Sequence, residues 1–508
     1  MKKRILCVLI VMGVLLTMCG CETNKTISQS DNSSEITVED AVYSGKIEFP
    51  IDPDKTKVCK IVNTYTGRAL DVAEFGYNDG AVVRNKRYVG NMNQLWALGS
   101  DDGGIIIYNL TTGFVLTVKE GSESDGAEIV VGELLDDADA QKWSLKETEY
   151  GIEICSVLSG KPIGVENDDR TDSVQVKLNV GTAEKSRAWK LEIAELNMDK
   201  VPHLLKLSGA VVHSSTPEVV RYGDKYYSYN MSPGIGIKVS NDMKSWKYID
   251  QVTAYPQSPL LPFDWMEEAV PGGSIWAPGV YKIGDRYYMY YCISTGGSQK
   301  SAIGVGVNTT LDSSSPDFKW VDLGLVISSK EGDPYNCIDP NIIIDDEGKP
   351  WLIFGSWWKG IFARRIDGET GKLSNEDTKF YSLASQESKN SGIEAPYMIK
   401  HGEYYYLFAA FGNAQENYHS EVGRSKSVTG PFLDKDGVDM LEGGGTKVTY
   451  GNEYFGGPGH ASIFVDEDGQ HYMVSETFNN NSVIMMITTL EFDDEGWPIT
   501  ALTPGMAK

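Results

Sequence analysis

Five prolines, Pro217, Pro278, Pro340, Pro396 and Pro458, stand 61, 62, 56 and 62 residues apart, and each opens a copy of one short pattern. An apolar stretch leads into a turn that carries glycine and charged residues, and an aromatic-rich stretch follows. The copies run from Glu218 to Tyr227, Val280 to Tyr288, Ile342 to Trp351, Tyr397 to Tyr405 and Ile463 to Tyr472. Each reads as a β-hairpin. Five antiparallel units of similar length, with no helical periodicity between them, predict a five-bladed β-propeller over 203–500.

A second repeat precedes the first. Ile61-Val62-Asn63 with Thr66-Gly67 returns as Ile106-Ile107-Tyr108-Asn109 with Thr112-Gly113, and as Ile152-Glu153-Ile154 with Ser159-Gly160. Each copy closes on a tryptophan, in Gln94-Leu95-Trp96, Gln141-Lys142-Trp143 and Arg187-Ala188-Trp189. Three equal units with one aromatic each predict threefold packing around a shared indole core. The pattern resembles the ricin B-type β-trefoil lectins, and the expected domain spans 56–195. The fold class is therefore all-β, a β-trefoil followed by a propeller. In such lectins an Asp after the first strands takes sugar hydroxyls, and only the first unit keeps one, in Leu70-Asp71-Val72. The resemblance makes Asp71 the sugar acceptor, with Tyr88 as stacking face and Asn91 as polar contact; turn and surface roles are the alternative.

The N-terminus reads as an export signal. Lys2, Lys3 and Arg4 precede an apolar run from Ile5 to Leu16, too short for a good transmembrane helix, and Met18-Cys19-Gly20-Cys21 follows. That ending resembles a bacterial lipoprotein cleavage box, with Cys21, behind the small Gly20, as the lipidated residue. Residues 1–21 are then signal, and 22–55, rich in Ser, Asn, Asp and Thr, a flexible linker. The chain is expected to be lipid-anchored at the bacterial envelope, or secreted where the anchor is unused. Of seven cysteines, Cys59, Cys155, Cys292 and Cys337 lie beyond the signal, with no CxxC spacing to suggest zinc. Cys59 and Cys155 share a domain, and their pairing stays open. A net charge of −25 argues against nucleic acid as a partner, which needs a basic field.

In a propeller the first strand of each blade lines the axis, so polar residues beside the five prolines converge. They are Thr216 and Glu218, Trp276, Asp339 and Asn341, Glu394 and Tyr397, and His460. Carboxylates opening apolar strands cost desolvation energy unless they are paired or used. The segments Asn336-Cys337-Ile338-Asp339-Pro340-Asn341, Gly355-Ser356-Trp357-Trp358, Ile393-Glu394-Ala395-Pro396-Tyr397 and Gly457-Pro458-Gly459-His460 resemble glycoside hydrolase family 43, above all its endo-α-1,5-L-arabinanases. The resemblance implies hydrolysis of arabinan, or of a related arabinose- or xylose-containing plant cell-wall polysaccharide, by a monomer. It makes Glu394 the general acid and Asp339 the carboxylate that orients it and favours its protonated form. Asn336, Trp276, Trp357, Trp358 and Tyr397 become substrate contacts, and His460 stands near a calcium ion held through water.

The family inverts, using one carboxyl group to protonate the leaving oxygen and another to activate water. Its base is normally an Asp in a His-Asp-Pro unit opening the first blade, where this chain has Ser215-Thr216-Pro217. A threonine hydroxyl does not act as a general base at neutral pH. Glu218 would share a face with Thr216 if the strand is regular and could replace the base. Another carboxylate could serve instead, or the propeller could be a catalytically impaired, glycan-binding surface protein.

Overall fold

The computed structural model describes residues 35–73, 79–136, 138–196, 198–231, 234–249, 264–386, 392–413, 417–450, 456–479 and 482–507. The expected signal segment with Cys21, and the expected linker up to residue 34, lie outside them.

Twelve strands, four to a unit, build the trefoil. The units open with Val58–Asn63, Gly104–Asn109 and Gly151–Ser156 and close with Trp96–Asp101, Trp143–Thr148 and Ala188–Ile193. Trp96, Trp143 and Trp189 are fully buried in one cluster. Their indole N–H groups donate to equivalent carbonyls, Leu70 at 3.0 Å, Leu116 at 2.9 Å and Ile163 at 3.3 Å. A large apolar ring is thus buried with its one polar atom satisfied. The glutamines of the repeat have their own work. Gln94 donates to Arg87 O and accepts from Val89 N, both at 2.8 Å. Gln141 does the same with Glu133 O and Leu135 N, so each amide pins the loop ahead of its tryptophan.

The flexible linker expected over 22–55 is corrected from residue 35 onward. Glu35 bridges to Glu192, the helix Val38–Ala41 follows, and Val42–Tyr43 pairs in parallel with Leu98–Gly99. Ala41, Ile47 and Ile51 are buried against the trefoil, so scattered apolar residues in a polar stretch suffice to dock it. Cys59 and Cys155 are both free and buried, as are Cys292 and Cys337.

The propeller has five blades, whose inner strands begin at Ser215, Ser274, Asn341, Ile393 and Gly456. Aromatic doublets in the second strands have a simple cause: both faces of a blade are covered by neighbours, so both sets of alternating side chains are apolar. In Arg286–Ser294, Tyr287, Met289 and Tyr291 pack toward the first blade, while Tyr288, Tyr290 and Cys292 pack toward the third. Tyr405, Leu407 and Ala409 against Tyr406 and Phe408 divide the same way in the fourth blade. The ring closes where the incoming chain pairs with the last blade, through Leu205 N to Ile487 O at 2.8 Å and Met485 N to Val211 O at 2.9 Å. Tyr226 of the first blade also donates to Asp466 of the fifth at 2.7 Å. The C-terminal tail returns to the trefoil, with Ala507 N donating to Gly90 O at 3.2 Å.

Candidate active site

One local distortion recurs at every blade start. The residues before the five prolines, Thr216, Ala277, Asp339, Ala395 and Gly457, have φ of 50°, 42°, 55°, 51° and 40°. Strand register shifts at the same place in four blades: between Ser215 and Glu218, Trp276 and Gly279, Glu394 and Tyr397, and Gly456 and Gly459. These are β-bulges, which re-aim side chains and recur beside active sites. Left-handed backbone at non-glycine residues is uncommon and concentrates where function demands it.

The bulges surround two spaces. A narrow axial cavity of about 30 Å³ is lined by Thr216, Glu218, Tyr281, Asp339, Tyr397 and His460. A cleft of about 570 Å³ holds Trp276, Asn336, Ser356, Trp357, Trp358 and Glu394. Trp357 and Trp358 are 45% and 41% exposed, and a bare indole face in a cleft suits stacking against a sugar ring. The Asn336 side-chain oxygen is buried without a protein partner, an acceptor available to a ligand hydroxyl. Tyr397 belongs to the axial wall rather than the cleft.

Glu394 is held by two hydroxyls: Ser356 Oγ donates to Oε2 at 3.1 Å and Tyr418 OH to Oε1 at 2.8 Å. Asp339 Oδ2 accepts the Ala395 N–H at 3.1 Å, which fixes the backbone beside Glu394. Burial, and then the nearby Glu394 charge, push the Asp339 carboxyl well above the usual range. Sequence reasoning missed a third carboxylate. Glu476, on the second strand of the last blade, accepts from Ser215 Oγ at 2.6 Å and from Thr216 N at 2.8 Å. It is 5% exposed, and burial pushes its pKa up to about 7. Its one visible signal is an acidic residue in the middle of a blade strand.

Glu218 sits elsewhere. The strand regularity invoked for it is broken by the bulge at Thr216, and its Oε2 accepts from Tyr281 OH at 2.9 Å on the second blade. Burial raises its pKa to about 8. His460 is pushed down to about 3 by burial, so it is a neutral ring. A calcium ion takes six to eight oxygen ligands. Beside His460 the cavity has little room, and no group of three His, Cys, Asp or Glu side chains comes together among the described residues. The described residues thus offer no direct side-chain cage, and an ion there would be held through water beside His460.

The three lectin residues are not gathered around an open pocket. Asp71 is 2% exposed, with Arg84 Nε on Oδ1 at 2.8 Å and Asn93 Nδ2 on Oδ2 at 3.0 Å. Asn91 Oδ1 accepts from Gly505 N at 3.3 Å, and Tyr88 packs in the same cluster as Ala507. The C-terminal tail thus occupies the Tyr88–Asn91 side.

Gly459 explains one motif position. A Cβ there would lie 2.1 Å from Tyr418 Cδ1, inside a ring packed on Ala395 and Ala410. Gly459→Ala should cost about 1–3 kcal/mol by overpacking, and should lower activity by displacing the hydroxyl that holds Glu394. A thermal melt alongside an activity assay checks this; a variant matching the parent in both would contradict the packing account.

Residues 211–498 match Glycosyl hydrolases family 43, and residues 48–132 match the ricin-type β-trefoil lectin-like domain. An extracellular exo-α-(1→5)-L-arabinofuranosidase of Cellvibrio japonicus is 38% identical over 301 residues, covering 56% of this chain and 84% of that protein. An extracellular endo-α-(1→5)-L-arabinanase of Bacillus subtilis is 34% identical over 295 residues, covering 56% and 86%. Among solved structures, an α-L-arabinanase of Cellvibrio cellulosa in complex with arabinohexaose superposes with a TM-score of 0.53 at 36% identity, over 57% of this chain and 95% of that one.

Proposed function

The chain belongs to Glycosyl hydrolases family 43, and from that premise we propose that its propeller hydrolyses α-1,5-linked arabinan, or a related arabinose- or xylose-containing plant polysaccharide, outside the cell. The observation that carries this reading is the cleft, which places Glu394 among Trp276, Trp357, Trp358 and Asn336. The indoles take the flat faces of sugar rings, and the Asn336 oxygen accepts a hydroxyl. Glu394 protonates the leaving glycosidic oxygen. The Ser356 and Tyr418 hydroxyls keep it aimed, and Asp339, through the Ala395 N–H, keeps its backbone in place. Positioned proton transfer of this kind contributes ~10²–10⁴-fold.

The trefoil would hold the enzyme beside its polymer, raising the local concentration of cleavable bonds. Its contacts lie away from Asn91, which the tail engages. The protein acts as a monomer, exported and tethered through a lipid on Cys21; such an anchor binds more loosely than a transmembrane helix, and among the described residues no helix is long and apolar enough to cross a membrane. The extracellular relatives support export. Thr216 favours a second reading, a surface receptor that binds glycan without cleaving it. Reducing-sugar release from linear α-1,5-arabinan separates the two. Release proportional to enzyme is expected; binding with no release at any enzyme concentration would establish the receptor.

A further inference from the structure

Inversion at a sugar carbon needs a second carboxylate to take a proton from the attacking water, and the first blade opens without one. The Thr216 hydroxyl is buried with no protein partner, and it has no basicity to offer near neutral pH. We propose that Glu476 is the general base of this enzyme, delivered to the start of the first blade from the neighbouring fifth blade.

Three observations carry the assignment. Glu476 belongs to the strand His471–Asn479, yet its carboxylate crosses the seam that closes the ring and binds Ser215 and Thr216. The carboxylate therefore stands beside the residue that opens the first blade, though it comes from a different one. Both bonds fall on Oε2, which leaves Oε1 as the oxygen to receive a proton from water. Ser215 itself lines a cavity of about 310 Å³ that shares Trp276 with the Glu394 cleft, so this seam adjoins the substrate channel.

The surroundings fit the role. Glu476, Glu394 and Asp339 feel one another's charge around the Tyr418 phenol, and among the described residues no Lys or Arg pairs with any of the three. Glu476 and Asp339 are both buried, and burial favours the protonated form of each, with Glu476 pushed up to about 7, where a carboxylate takes and returns a proton readily. The divergence of roles follows from their partners. Asp339 is committed to the backbone next to the acid, whereas Glu476 is bound at the opening of the first blade. Glu218, the other buried carboxylate on the axis, is bound to Tyr281 of the second blade and makes no bond to the first blade's opening residues.

The water oxygen attacks the anomeric carbon as the glycosidic C–O bond breaks. One water proton passes to Glu476, the Glu394 proton passes to the leaving oxygen, and the configuration at carbon inverts. Solvent exchange then returns both carboxyl groups to their starting forms.

This assignment rests on the hydrolytic reading, and its test is separable from it. If the wild-type chain releases no sugar from arabinan, the hydrolytic reading fails first. If wild type is active, Glu476→Gln should lower kcat ~10²–10⁴-fold with KM little changed, since the amide oxygen still accepts from Ser215 and Thr216. In Glu476→Ala, sodium azide should restore turnover by replacing the activated water, giving arabinosyl azide of inverted configuration. A Thr216→Asp change in the Glu476→Gln background should return part of the lost activity by supplying a carboxylate at the same blade start. Glu476→Asp keeps the carboxylate and serves if the glutamine variant does not fold; there a reduced kcat at unchanged KM is expected. Near-wild-type kcat in Glu476→Gln, no azide rescue in a folded Glu476→Ala, or azide rescue appearing in Glu218→Ala instead, would overturn the proposal.

Discussion

Replacing Glu394 by glutamine lowers kcat on α-1,5-arabinan by ~10²–10⁴-fold, the usual worth of a positioned general acid, while the fold and the affinity for polymer persist. The reason lies in the partners. Ser356 Oγ at 3.1 Å and Tyr418 OH at 2.8 Å are hydroxyls, which can bond to an amide as well as to a carboxylate. The cleft walls that bind sugar, Trp276, Trp357 and Trp358, do not depend on the charge of residue 394. What the amide cannot do is give a proton to an alkoxide-like leaving oxygen. The deficit should therefore shrink on a synthetic arabinofuranoside whose leaving group departs without protonation, such as a dinitrophenolate. A loss equal on both substrates would mean that Glu394 acts on binding or folding, and kcat within a few-fold of wild type would remove it from the mechanism. The contrast with Glu476 is sharp: removing a base leaves the deficit on the activated substrate in place.

The architecture was legible because it is written in repeats. Five prolines at near-constant spacing and paired aromatic runs reflect blades that bury both faces, and three Gln-x-Trp-like closures reflect indoles that share one core. The site was legible only where a residue sits in a motif, as Glu394 and Asp339 do. Two physical causes hid the rest. Bulges at the blade starts carry φ near 50° at Thr216 and Ala395, so strand alternation does not predict which way Glu218 and Thr216 point. Glu476 comes from a second strand and serves a neighbouring blade, a relation that exists only once the ring closes. The lectin residues show the reverse error. Asp71 fits the sugar-binding pattern, yet Arg84 on the adjacent strand pairs with it in the interior. Asn91 is met by a tail more than four hundred positions away in sequence.

Trp143→Ala should destabilise the trefoil by about 3–5 kcal/mol, the range for deleting a large buried aromatic. Trp143 has no exposed surface, and its indole N–H satisfies Leu116 O at 2.9 Å. Truncation thus opens a cavity on the threefold core and strands a buried carbonyl. Domains are commonly stable by only about 5–15 kcal/mol, so this trefoil should melt as a separate, earlier transition in calorimetry. The propeller has its own interblade cores, and the catalytic cleft contains no trefoil residue. Hydrolysis of a short soluble arabino-oligosaccharide should therefore survive at temperatures where the trefoil has unfolded. Activity on insoluble polymer should fall there, because the targeting module is lost. A single unchanged transition would mean that the cavity collapses or that the tail contacts at Gly90 and Asn91 fuse the two domains into one cooperative unit. Joint loss of the trefoil transition and of oligosaccharide cleavage would point to the latter, making the tail a structural strut of the active propeller.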